Sequence, residues 1–184
     1  MPNAAVPTLR IPLNEHDHIR GPTDAPVTLL EYGDYQCPHC GRAFPIVEKI
    51  LEERTGKIRF AFRHFPLMKM HPKAKLAAEA AESAGAMGKF WEMHEMLFRN
   101  QAKLELENLI DYARQLRLNL DTFQNDLSEH TYARRVTEEL AGGIRSGVNG
   151  TPSFFINDQR HNGGYERATL AAAIDAALEL NEGR

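Results

Sequence analysis

The sequence predicts an α/β domain in which a β-α-β half and a β-hairpin-α half are separated by an insertion of several helices. Three observations carry that prediction. Two β-rich runs, residues 27–32 and 57–65, bracket a stretch of helical period. Helix-forming sequence then occupies residues 67–146, and a short β-rich run with a turn leads into a last amphipathic helix. A chain of 184 residues suits one domain with an insertion better than two full domains.

Residues 1–26 hold Pro2, Pro7, Pro12, Gly21, Pro22 and Pro26, which break any regular period, so they are expected as an arm with one short strand over 9–13. VTLLEY, residues 27–32, is nearly continuously apolar, as a central strand covered on both faces should be. A loop at 33–36 precedes a helix from Pro38, with Phe44, Val47 and Leu51 on one stripe and Ile46 and Ile50 beside it. Pro45 should kink that helix and Gly56 should end it. In 57–65, Ile58, Phe60 and Phe62 alternate with Arg59, Ala61 and Arg63, which predicts a second strand. Helices follow over 72–86, 90–101, 107–116, 121–127 and 131–146, then a strand at 153–157, a turn, a partner strand at 160–163, and a helix over 166–180 striped by Leu170, Ile174, Ala177 and Leu178. The organisation is an arm (1–26), a main domain (27–66 and 147–184) and an inserted helical subdomain (67–146).

Composition narrows the function. The 22 basic and 25 acidic side chains are interspersed, giving a net charge of −3 and no electrostatic case for binding nucleic acid. No apolar run is long enough to span a bilayer, so membrane insertion is not expected. The first 18 residues lack the basic and apolar regions of a secretory signal, which points to the cytoplasm unless a signal has been removed.

Both cysteines lie in one tetrapeptide, Cys37-Pro38-His39-Cys40, between a strand and a helix. A bond between them would close too small a loop to add much stability, so the spacing reads as chemistry. A thiol attacks a disulfide as thiolate, and the unpaired N–H groups of a helix N-terminus favour that form. Cys37 is therefore expected as the exposed nucleophile, with Cys40, one turn inside, as the shielded resolving thiol. Pro38 fixes the first turn, and the His39 imidazole can place positive charge near the Cys37 sulfur.

CPHC after a strand and at the start of a helix resembles the DsbA-like family of the thioredoxin superfamily. Pro45 resembles the helix-kinking proline of thioredoxins, and the order of elements is similar from Pro22 onward. The resemblance implies a thioredoxin fold with a multi-helix insertion and thiol–disulfide oxidoreductase activity on protein or peptide thiols, with a redox recycling partner and no dissociable cofactor. By the same resemblance, Glu31 matches the family's buried acid, which could accept a proton from Cys40. Thr151-Pro152 matches its cis-proline loop, which would offer the Thr151 backbone to an extended substrate beside Cys37. Threonine at 151 looks more like the isomerase and reductase members than the oxidase. The run GKFWEMHEMLF (88–98) resembles a bacterial subgroup whose members occur alone or fused to membrane antiporters.

Other readings compete. CxxC is half a zinc site that His39, His64, His71 or His94 could complete, and the groove at Thr151-Pro152 could serve a non-enzymatic, chaperone-like module. Trp91, Met93, Met96, Phe98 and Met87 fit core filling better than a peptide groove. Arg134, Arg135, Glu138 and Glu139 read as a solvated helix face.

Overall fold

The computed structural model describes residues 7–182; Pro2 with the start of the expected arm, and the last two residues, lie outside them. Among the described residues the strands are β1 (His18–Arg20), β2 (Val27–Gly33), β3 (Ile58–His64), β4 (Ser153–Ile156) and β5 (Gln159–Arg160). The helices are α1 (Pro38–Glu53), α2 (Ala74–Ala86), α3 (Phe90–Arg99), α4 (Leu106–Gln115), α5 (Leu120–Ser128), α6 (Ala133–Arg145) and α7 (Arg167–Glu182). One sheet runs β1-β3-β2-β4-β5, which is the thioredoxin-like α/β arrangement with a helical insertion expected from the sequence.

The chain divides into two compact units. Residues 7–32, 42–63 and 142–182 form the first, and residues 33–41 and 64–141 form the second. The second thus joins the cysteine-bearing segment to most of the segment expected as an insertion.

In the first unit, β2 buries Val27, Leu29 and Leu30, and α1 contributes Ala43, Phe44, Val47 and Ile50 to the core. Leu170, Ile174 and Leu178 of α7 are also buried, whereas Ala177 is partly exposed. β2 pairs antiparallel with β4, setting Glu31 opposite Phe154 and Tyr32 opposite Ser153. The β4–β5 hairpin turns through Asn157 and Asp158 at φ +46° and +65°, the left-handed pair that matches the twist of a two-residue hairpin.

The arm differs from expectation. Its regular strand is β1, paired antiparallel with β3, while residues 9–13 contain none; Thr8 makes a single bridge to Gln159. Pro12 has no N–H for a ladder, and the carbonyls of Ile11 and Pro12 accept from the Arg63 guanidinium instead, at 2.7 and 3.0 Å. Arg63 stands on the polar side of the β3 alternation, yet it is buried because Asp17 holds it bidentately at 2.6 and 2.8 Å and the Tyr32 hydroxyl accepts at 3.1 Å. Burial disfavours the cation, but the bonds to Asp17 and Tyr32 outweigh it and hold the guanidinium above its ordinary pKa.

In the second unit, Ala77, Ala78, Ala80, Ala81 and Ala84 of α2 are buried, and their small side chains let α3 and α5 approach closely. The Asn119 side chain caps α5 by accepting from Thr122 N.

Replacing Asp17 with asparagine leaves the Arg63 cation without its counter-charge. The substitution should lower the unfolding free energy by about 3 kcal/mol, read from urea denaturation.

Candidate active site

The cysteine segment is tied into the second unit by buried polar groups. Asp34, at the end of β2, is itself buried, and its Oδ1 accepts from Gln36 N at 2.7 Å. Its Oδ2 accepts from Leu67 N at 2.9 Å and lies 2.7 Å from His71 Nδ1, which donates to it. Gln36 Oε1 in turn accepts from Lys73 N at 2.7 Å. The loop that delivers Cys37 is thus fixed at both flanks by the segment between β3 and α2.

Cys37 is the residue immediately before α1, and Cys40 is the third residue within it. The Cys37 N–H donates to Asp34 O at 3.1 Å, while its carbonyl accepts from Gly41 N at 3.0 Å as the first rung of the helix. Gln101 Nε2 donates to the same Cys37 carbonyl and to that of Tyr35, both at 2.9 Å. The expected exposed nucleophile is therefore largely covered: Cys37 is 3% exposed and Cys40 0%. Its N–H donates to Asp34 O and its carbonyl is held by Gln101, so both main-chain groups of Cys37 are satisfied within the protein. The expected order, Cys40 deeper than Cys37, holds. Pro38 and His39 are exposed.

Glu31 is buried within β2, 2% exposed. The Thr151–Pro152 peptide bond is cis, as the resemblance implies.

The histidines that a zinc site would require have other partners. His64 Nε2 lies 2.9 Å from Glu82, His71 is held by Asp34, and His94 Nδ1 lies 3.0 Å from the Tyr35 hydroxyl. Among the described residues neither cysteine belongs to a cluster of three or more potential ligands; the one such cluster is His64, Glu82 and Glu139. Arg135 threads that cluster, pairing with Glu82 at 2.5 Å and Glu139 at 3.1 Å, and Glu139 accepts from His64 N at 2.6 Å. With a guanidinium already on both carboxylates, the arrangement is an internal ion network. Burial pushes the Glu139 carboxyl above the usual range, against the pull of His64 and Arg135.

This corrects the reading of α6 as a solvated face. Arg134 and Glu138 are exposed as expected, but Arg135 and Glu139, one step around the helix, turn toward Glu82. Met93 and Phe98 are buried, with Trp91 and Met96 only partly so, and the Tyr35 ring meets those of His64, His94 and Phe98.

Asp34 and Gln101 were not singled out by sequence, and His71 was weighed there as a zinc ligand rather than as a partner of Asp34. Asp34 had a local signal, an Asp two residues before the N–H it accepts. His71 and Gln101 reach the site from loops far along the chain, and no spacing marks them.

Comparison with known proteins places the chain. A family model described as Thioredoxin matches residues 13–176. The "Na(+)/H(+) antiporter NhaA 1" of Salinispora arenicola is 46% identical over 171 residues, covering 92% of this chain and 26% of that protein. The chain thus spans about a quarter of the length of such curated relatives. Among solved structures, BdbD of Bacillus subtilis in its oxidised form is similar at a TM-score of 0.79 and 26% identity, covering 88% of this chain and 92% of the other. A thioredoxin-like oxidoreductase from Silicibacter pomeroyi is similar at 0.79 and 27%, covering 90% and 94%.

Replacing Arg135 with leucine would remove the cation that pairs with both Glu82 and Glu139, leaving their mutual repulsion less opposed. Stability should fall by about 3 kcal/mol at pH 7. The repulsion raises the native carboxyl pKa in the variant, so the penalty is full above that value and shrinks as pH falls toward 5. Urea titrations at the two pH values measure the difference.

Proposed function

Since the chain belongs to the thioredoxin family, we propose that it is a DsbA-like member that catalyses thiol–disulfide exchange with protein or peptide thiols through Cys37 and Cys40. One observation carries the reading: Cys37 immediately precedes α1 and Cys40 lies within its first turn. The N–H groups of that turn favour a Cys37 thiolate. The thiolate attacks one sulfur of a substrate disulfide, forming a Cys37 mixed disulfide and releasing the other substrate sulfur as thiolate. Cys40 then loses its proton and displaces the substrate thiolate, leaving a Cys37–Cys40 disulfide and a reduced substrate. Run in reverse, the same steps oxidise a dithiol substrate.

Supporting roles come from the family likeness. Glu31, buried in β2, would accept the Cys40 proton; the exposed His39 would add positive charge near Cys37; Thr151 and Pro152 would bind substrate main chain. A separate redox protein would return the pair to its starting state, and the cytoplasmic location that goes with the resemblance belongs to the same proposal. Antiport is named for the longer relatives; here no helix among the described residues is long and apolar enough to cross a membrane.

Cys37→Ala should abolish the protein's acceleration of insulin reduction by dithiothreitol, and Cys40→Ala should accumulate mixed disulfides visible on a non-reducing gel. Unreduced acceleration by Cys37→Ala would overturn the reading. The direction of exchange is read from the equilibrium potential against glutathione: a value near about −120 mV marks an oxidant, and one near about −270 mV a reductant.

A further inference from the structure

We propose that Gln101 is a positioning residue for Cys37: from the α3–α4 connection it holds the carbonyl of the nucleophile together with that of Tyr35, two residues earlier, and so favours the Cys37 thiolate. The inference rests on the thiol–disulfide reading and specifies what tunes that site.

Both Nε2 hydrogens of Gln101 are committed, one to Tyr35 O and one to Cys37 O, each at 2.9 Å. The side-chain orientation follows from the partners, since an amide end facing two carbonyl oxygens has to be the NH2 end. The Cys37 carbonyl is also the acceptor of the first helical rung, from Gly41 N at 3.0 Å. Gln101 therefore grips the peptide plane that starts α1. The N–H groups of a first turn stabilise a thiolate only while that turn stays formed and aimed, and a second donor on the starting carbonyl holds it so. The amide also offsets the partial negative charge of the Tyr35 and Cys37 carbonyl oxygens, which would otherwise oppose a thiolate at Cys37.

An independent observation lies at Gly41. A Cβ there would come 1.9 Å from Gln101 Oε1 and 2.6 Å from its Cδ. Glycine is unfavourable inside a helix relative to alanine, and the space its missing side chain leaves is the space the amide occupies. Gly41 and Gln101 act as one device, separated by sixty residues of sequence and joined at one turn. An alanine at 41 would push aside a flexible side-chain end, so it should displace the amide without disrupting the helix.

The test is the pH profile of Cys37 carbamidomethylation, located by peptide mass mapping, in the unaltered protein, Gln101→Leu, Gly41→Ala and the double variant. Leucine keeps similar bulk and removes the donor. Each single variant should move the profile to higher pH, slowing alkylation at pH 5 about five-fold. The double variant should be no slower than either single one, because both remove the same contact. If either single variant fails to fold, the other still gives the reading. Unmoved profiles in the folded variants, or losses that multiply in the double variant, overturn the inference while leaving the proposed function standing. Absence of Cys37 reactivity at mildly acidic pH in the unaltered protein would bring down the proposed function, and this inference with it.

Discussion

A carboxylate removed from water has to be met by donors, and in this protein that requirement at Asp34 organises the reactive segment. Its two oxygens take the Gln36 and Leu67 N–H groups and the His71 ring. Hydrogen bonds to an ionised acceptor are about twice as strong as neutral ones, and leaving any of these buried donors unmet costs its full desolvation. The loop between β2 and α1 accordingly has one low-energy arrangement, and Cys37 inherits its position from it. Preorganisation of this kind matters for exchange chemistry, where three sulfurs must approach a line and a misplaced nucleophile loses rate steeply.

The same economy of charge recurs elsewhere in the second unit. His64, Glu82, Arg135 and Glu139 form a network in which each carboxylate meets a cation or a backbone donor. Glu79 pairs with His130, and Ser83 donates to Asp126. Such buried pairs add little net stability over an apolar core of equal volume, since desolvation offsets their attraction. A slip of α2 or α6 would separate Glu82 from Arg135 and leave a buried charge without that partner. His64 couples the network to the aromatic cluster through the Tyr35 ring, two residues before Cys37.

How much of this the sequence reveals depends on range. Most elements were legible because they are written in a local period: the apolar run of β2, the stripes of α1 and α7, and the turn residues of the hairpin; β1 was not, the strand expected over 9–13 lying instead at His18–Arg20. CPHC could be singled out because the signal lies in a tetrapeptide and its flanks. Arg63 misled because alternation reports side-chain polarity, and a guanidinium that finds Asp17 and two carbonyls goes inward despite it. Arg135 and Glu139 misled for the same reason, their partner Glu82 lying on a different helix. Gln101 carries no local signal at all, because its acceptors are main-chain carbonyls, which have no letter in a sequence.

Pro45 lies within α1, and having no N–H it leaves the Gly41 carbonyl without its helical donor. The ladder is thus open between the first turn, with its two sulfurs, and the shaft buried through Val47 and Ile50. Mechanically, α1 is a rod with a slack joint one turn from its tip. In the proposed exchange chemistry, forming or parting a sulfur–sulfur bond would change the torsions of the first turn, and the rung missing at Pro45 would give that change a place to be taken up locally.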